Sequence, residues 1–271
     1  MSDNITEIRT AFNTHKACVL IPTYNNAQTL PALLTDISRY TDNIIVVNDG
    51  STDDTDSILR QQKAEIVSYP KNKGKGWALR QGFKKALELG YTYAITIDSD
   101  GQHYADDLSI FLNALSEHPN AIIIGARNME QSSVPGKSSF GNKFSNFWFW
   151  VETGIKLPDT QSGYRLYPVK SLSTLTFFTR KYEFEIEVIV RAAWKGITVM
   201  CVPVKVFYPE KEKRISHFRP FRDFSRISVL NTVLVVITFL YIKPRDFLRG
   251  FKKKISGRIL RTHSLANTSL R

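Results

Sequence analysis

The chain has 271 residues, 42% of them hydrophobic, and a formal net charge of +12. That suits one large domain or two small ones with a substantial core. The only cysteines, Cys18 and Cys201, lie in apolar strand-like runs, which excludes a disulfide-stapled scaffold and fits a reducing cytosolic setting. The polar, mixed-charge start from Met1 to His15 lacks the pattern of a secretory signal.

In chain order, apolar periodicity predicts strands and helices in alternation. Ala17–Ile21 reads as a strand and Thr29–Ser38 as a helix; Asn43–Val47 is the next strand, followed by a helix from about Asp53 to Gln62. Ala64–Ser68, Thr92–Ile97 and Ala121–Gly125 read as strands, with helices over Gly74–Leu89 and Asp106–Glu117 between them. Such alternation implies βαβ units and a mostly parallel sheet covered on both faces. Ligands of such sheets sit beyond the carboxyl ends of the strands. Asn25, Asp49, the pair Asp98 and Asp100, and Arg127 all follow strands.

Gly136–Thr153 is a helix crowded with Phe140, Phe144, Phe147, Trp148, Phe149 and Trp150. Both a core helix and a helix lying in a membrane interface fit this pattern. Tyr182–Arg191 is a further helix.

Charge is segregated along the chain. From Lys205 onward there are sixteen Lys/Arg against four Asp/Glu, which accounts for the whole net charge and leaves residues 1–204 neutral. A basic tail on a neutral body points to an anionic surface as partner. Within it, Ile227–Ile242 has no charge; a bilayer span takes about twenty residues, so this segment is short unless its flanks extend it. Arg222 and Arg226 precede it, and Lys243, Arg245, Arg249, Lys252, Lys253 and Lys254 follow. That flank suits anionic lipids of a cytoplasmic leaflet. Nucleic-acid binding and a soluble core helix are the alternatives; the apolar segment favours a membrane, and no nucleic-acid partner is expected.

The run Ile95-Thr96-Ile97-Asp98-Ser99-Asp100-Gly101-Gln102 ends a strand on two carboxylates at i and i+2. Where the strand ends the chain bends, so both acids can converge on a hard cation such as Mg²⁺ or Mn²⁺ held jointly with a phosphate ligand. The alternative is an ordinary Asp/Gly turn.

Four segments in order resemble the family 2 glycosyltransferases of the GT-A fold. They are Ile21-Pro22-Thr23-Tyr24-Asn25-Asn26, Val47-Asn48-Asp49-Gly50-Ser51-Thr52-Asp53, Asn72-Lys73-Gly74-Lys75-Gly76-Trp77-Ala78 and Asp98-Ser99-Asp100. Gly125-Ala126-Arg127, the run from Asp159 to Arg165 and Ser216-His217-Phe218-Arg219 are similar to the dolichyl- and polyprenyl-phosphate sugar synthase branch. The resemblance covers roughly residues 16–226. Asn26 stands where the family usually has Glu, and Asn48 where an Asp is common.

The resemblance implies a glycosyltransferase domain over 1–222, and the basic, apolar-centred composition a membrane-associating tail over 223–271. It implies transfer from a nucleotide-sugar with inversion of configuration, onto a polyprenyl phosphate or, alternatively, a hydroxyl of a lipid or glycan. Pro22, Tyr24, Asp49, Lys75, Gly76, Asp98 and Arg127 would hold the donor, and Asp98, Asp100 and Gln102 the Mg²⁺ or Mn²⁺. Glu185 falls in the register of a catalytic base, which a hydroxyl acceptor needs and an anionic phosphate does not. For an anionic acceptor, Arg165, His217 and Arg219 would supply positive charge, with Arg165 counted among the catalytic groups. The enzyme is expected at the cytoplasmic face of the membrane, peripheral or with one short segment inserted.

Overall fold

A computed structural model describes residues 2–128, 136–207 and 219–249. The chain divides into two compact units, Met1–Ile227 and Ser228–Arg271.

The first unit is built on a seven-stranded sheet in the order β3-β2-β1-β4-β6-β5-β7. The strands are β1 (Ala17–Thr23), β2 (Ile44–Asn48), β3 (Glu65–Ser68), β4 (Tyr93–Thr96), β5 (Ala121–Arg127), β6 (Arg165–Pro168) and β7 (Thr198–Val204). Every residue of β1 and β2 is buried, as strands covered on both faces must be. The strands run parallel except β6, which pairs antiparallel with both β4 and β5. In that register Thr96, the last residue of β4, faces Arg165, the first of β6. The antiparallel strand thus starts beside the end of the strand that carries the two aspartates.

Helices α1 (Ser2–Thr14), α2 (Leu30–Ser38) and α5 (Leu108–Glu117) contribute to one buried cluster with β1, β4 and β5, joining Phe12, Leu34 and Phe111 to Val19, Ile95 and Ile123. On the other face lies α4 (Lys75–Glu88), where Phe83 packs its ring 4.9 Å from that of Tyr167 and 6.4 Å from that of Phe184. Phe184 opens α8 (Phe184–Trp194). The short helices α3 (Thr55–Leu59) and α7 (Val169–Leu172) complete the connections together with α6 (Gly136–Thr153).

The polar start of the chain is α1, which sequence reasoning did not read as helix. Ile8 and Phe12 anchor it in the core with Ala11 packed alongside, and Arg9 ties it to Asp42 at 2.7 Å and to the Arg39 carbonyl at 3.0 Å. Cys18 is buried; Cys201 is half-buried, and both are free thiols.

The last helix, α9 (Pro220–Ile237), begins in the first unit and runs into a π-helical turn, Thr238–Ile242, in the second. Helical structure over Phe221–Arg249 is long and apolar enough to cross a membrane by length and composition. Its 29 residues would reach about 44 Å as α-helix, against roughly 30 Å of hydrocarbon. The uncharged run read from the sequence is the middle of this longer helix.

Candidate active site

A cavity of about 670 Å³ opens at the carboxyl ends of β1, β2 and β4. Pro22, Thr23 and Tyr24 come from the end of β1, Asp49 from the residue after β2, and Asp98, Ser99, Asp100 and Gln102 from the turn after β4. Gly74 and Lys75 at the start of α4 and Lys181 and Tyr182 before α8 close one side. Arg219, Arg222, Asp223 and Arg226 at the start of α9 line another.

Asp49 is buried, and its two carboxylate oxygens each accept a backbone amide, from Lys73 and from Gly74, at 2.8 Å. The acid therefore fixes the loop that enters α4 while still presenting an edge to the cavity. Gly74 turns that loop with φ +105°, in the region that favours glycine.

At the next residue the chain places Lys75 between two acids. Its Nζ lies 2.8 Å from Asp98 Oδ1 and 3.0 Å from Glu185 Oε2. Two glycines make the room. A Cβ on Gly163 would stand 2.4 Å from Asp98 Oδ2 and 2.8 Å from Lys75 Nζ. One on Gly76 would stand 2.3 Å from Phe184 Cβ, so the absent side chain lets the starts of α4 and α8 touch. Burial works to lower the Lys75 pKa, but Asp98 and Glu185 hold it above its ordinary value. Burial likewise works to raise Asp98, and the Lys75 ammonium more than reverses this, leaving the carboxyl below its ordinary value.

Asp100 lacks such a partner. Burial first, and then the charge of Asp98, push its carboxyl up to about 6. Its Oδ1 accepts the Gln102 amide at 3.1 Å. Between the two acids, Ser99 donates its hydroxyl to the Pro22 carbonyl at 3.1 Å and accepts Asn26 Nδ2 at 2.6 Å, which pins the turn to the end of β1. The donor set fits a hard divalent cation: two carboxylates and a carboxamide share one wall. Among the described residues no three His, Cys, Asp or Glu side chains converge on one point.

Other expected site residues lie elsewhere. Arg165 does not reach the cavity, contrary to its expected acceptor contact. It is fully buried, and its guanidinium donates to the carbonyls of Ser162, Thr160 (3.0 Å) and Glu185 (2.6 Å) and to the Tyr167 hydroxyl (3.3 Å). Arg127 is likewise turned to the fold, gripping Asp159 through Nε at 2.7 Å and Nη2 at 3.1 Å. Asp159 also accepts the amides of Gln161 and Ser162, so this pair shapes the loop that carries Gly163. Gly76 packs helices rather than facing the cavity. His217 lies outside the described residues.

Three contributors escaped the sequence reading of the site. Arg222 and Arg226 follow Arg219 at i+3 and i+7, the spacing of one helix face, and all three line the cavity. The signal was present, but the two were read as flanks of an apolar segment. The amide of Arg219 donates to Asp223 Oδ2 at 2.7 Å, and Arg226 pairs with Asp223 at 3.3 Å, which orders this first turn. Lys181 lines the same cavity with no motif to announce it.

The sheet order, with β6 antiparallel to both its neighbours, and the acid-bearing turn after β4 define the GT-A fold. Superposition agrees: glucosyl-3-phosphoglycerate synthase from Mycobacterium tuberculosis, solved with Mn²⁺, UDP and phosphoglyceric acid, has a TM-score of 0.64 over 88% of this chain and 82% of that one, at 21% identity. The glycosyl transferase family 2 model matches residues 18–176, and the chain belongs to that family. Among its relatives are a UDP-N-acetylglucosamine–dolichyl-phosphate N-acetylglucosaminyltransferase from Methanococcus voltae, 28% identical over 71% of this chain and 86% of that protein. Another is the polyprenol monophosphomannose synthase of Mycolicibacterium smegmatis, 27% identical over 75% of this chain and 81% of that one.

Proposed function

We propose that this glycosyltransferase moves a sugar from a nucleotide-sugar onto the phosphate of a polyprenyl phosphate at the cytoplasmic face of a membrane. The observation that carries the reading is the row Arg219, Arg222 and Arg226, which lines the same cavity as Asp98 and Asp100. One wall of the cavity is acidic and another is cationic. Guanidinium groups pair strongly with phosphate, so the cationic wall suits an acceptor that arrives as an anion. The relatives named for dolichyl and polyprenol phosphate act on acceptors of that class.

In the proposed reaction an acceptor phosphate oxygen forms a bond to the anomeric carbon from the face opposite the leaving group. The bond from that carbon to the donor diphosphate breaks, its electron pair leaves with the nucleoside diphosphate, and configuration inverts. No proton has to be removed from the nucleophile. Glu185, paired to Lys75 at 3.0 Å, then serves to position the lysine rather than as a base. A divalent cation held by Asp100, Gln102 and Asp98 would supply Lewis-acid neutralisation of the leaving diphosphate. Pro22, Tyr24 and Asp49 would line the pocket for base and ribose, with Lys75 beside the donor.

The deciding experiment incubates the purified full chain with a panel of radiolabelled nucleotide-sugars and a membrane lipid extract. The proposal expects label in a lipid product that mild acid releases, as a sugar phosphate does. An acid-stable labelled lipid would overturn it in favour of a hydroxyl acceptor with Glu185 as base.

A further inference from the structure

Helix α6 presents two faces with different work. On one, Asn142 and Asn146 donate to the Pro158 carbonyl at 3.1 and 2.7 Å, and Asn146 Oδ1 accepts the Thr160 amide at 2.9 Å. This face holds the segment that leads to Gly163, behind Asp98. The other face carries Phe140, Lys143, Phe147 and Trp150, at i, i+3, i+7 and i+10, a single line along the helix. Phe140 is 67% exposed, Phe147 50% and Trp150 42%. The rings of Phe147 and Trp150 lie 6.1 Å apart, and Lys156 Nζ sits 5.5 Å from the Trp150 ring. The aromatic surface continues onto the first turn of α9, where the Phe224 ring packs tilted, 5.1 Å from that of Phe144, and Phe221 is 91% exposed.

A contiguous aromatic face of this kind marks a partner surface. We propose that the Phe140–Lys143–Phe147–Trp150 line is a docking face for an anionic lipid bilayer, seated at headgroup depth and additional to any insertion by the C-terminal helix. Trp and Phe with interleaved Lys suit that interface, where rings reach the acyl boundary and ammonium groups reach the headgroups. Charge selects the bilayer over a second copy of the chain. A two-fold contact would set this face against itself and bring Lys143 and Lys156 of both copies together, whereas anionic headgroups neutralise them.

The test uses the full chain with vesicles of equimolar phosphatidylcholine and phosphatidylglycerol carrying a shallow spin-label quencher. The intrinsic fluorescence of the wild type is expected to dim, and Trp150→Phe to remove most of that quenching while vesicle binding persists. Lys143→Glu and Lys156→Glu are each expected to weaken vesicle affinity about fivefold. Phe147→Ser with an unchanged melting temperature should also weaken it, which separates docking from folding. Quenching retained in Trp150→Phe, or no vesicle binding at all, overturns the proposal. So does a dimer in lipid-free sedimentation that Phe147→Ser dissociates. No readout involves sugar transfer, so failure here is distinct from failure of the acceptor assignment.

Discussion

Lys75 and Glu185 lie at the starts of two different helices, yet their charged atoms are 3.0 Å apart, and the same ammonium touches Asp98 at 2.8 Å. The consequence is a buried three-membered charge cluster. Removing its cation leaves two acids uncompensated, which costs about 3 kcal/mol in buried pairs. Lys75→Met is therefore expected to lower the melting temperature and cut turnover at least tenfold. Glu185→Gln keeps the lysine paired to Asp98 and should lower kcat less than tenfold for a phosphate acceptor. Loss of more than a thousandfold in Glu185→Gln, the scale of a missing general base, would assign proton removal to this residue. Asp98→Asn and Asp100→Asn are expected to abolish transfer with little change in circular dichroism.

The proposed ligand role of Asp100 carries an expected pH dependence of metal binding. Its carboxyl is pushed up to about 6 by burial and by Asp98, so below that pH it holds a proton that a divalent cation must displace. Mn²⁺ affinity is expected to rise from pH 5 to 7 and then level off, with proton release on binding near pH 6. Titration calorimetry in buffers of different ionisation enthalpy measures this. A flat affinity across that range would remove Asp100 from the ligand set.

The arginines divide by environment. Arg165 satisfies four internal acceptors in full burial, and Arg165→Gln should cost about 3 kcal/mol of stability. By contrast, Arg222→Gln at an exposed position should leave stability within about 0.5 kcal/mol, as surface changes do, whereas Arg226→Gln also takes the cation from the buried Asp223 carboxylate and should cost about 1–3 kcal/mol. Each should raise the acceptor KM about tenfold, which corresponds to one lost charged hydrogen bond, with the donor KM less affected. Steady-state kinetics with both substrates varied separates the two.

Those assignments show where the chain was legible as text. The strand ends and their acids could be read, because a buried apolar strand that stops on polar residues has only its carboxyl end in which to put them. Arg165 and Arg127 were harder. A guanidinium in a loop motif looks the same whether it meets a ligand phosphate or, as with Arg127 and Asp159, a carboxylate 32 residues away. Contacts of that range have no periodic signature. β6 went unread for a related reason, being four residues long and running against its neighbours; β7 showed only as the strand-like run around Cys201, because a Pro and two half-buried positions blur its alternation. α1 hid because its core contact rests on a few side chains, Ile8 and Phe12 with Ala11 beside them, in an otherwise polar segment.

Glu152, at the end of α6, makes the fold itself sensitive to pH. Burial pushes its carboxyl from 4.5 up to about 8. The folded state thus keeps a proton that the unfolded chain gives up above its ordinary pKa, so stability falls as pH rises from about 4.5 to 8. The melting temperature should fall over that interval. Glu152→Gln should flatten the dependence and raise stability at pH 8 by roughly 2–4 kcal/mol. A variant that keeps the slope would place its origin elsewhere.

The contact of α4 with α8 through Gly76 reaches further than packing. A missing methyl sets the gap between two helix origins, so the positive ends of both helix dipoles lie together there. Altering donor preference by design is therefore best attempted at other lining residues, Asn72 or Lys181. Any bulk at position 76 would act as a wedge between the helices and part Lys75 from Glu185 without touching either.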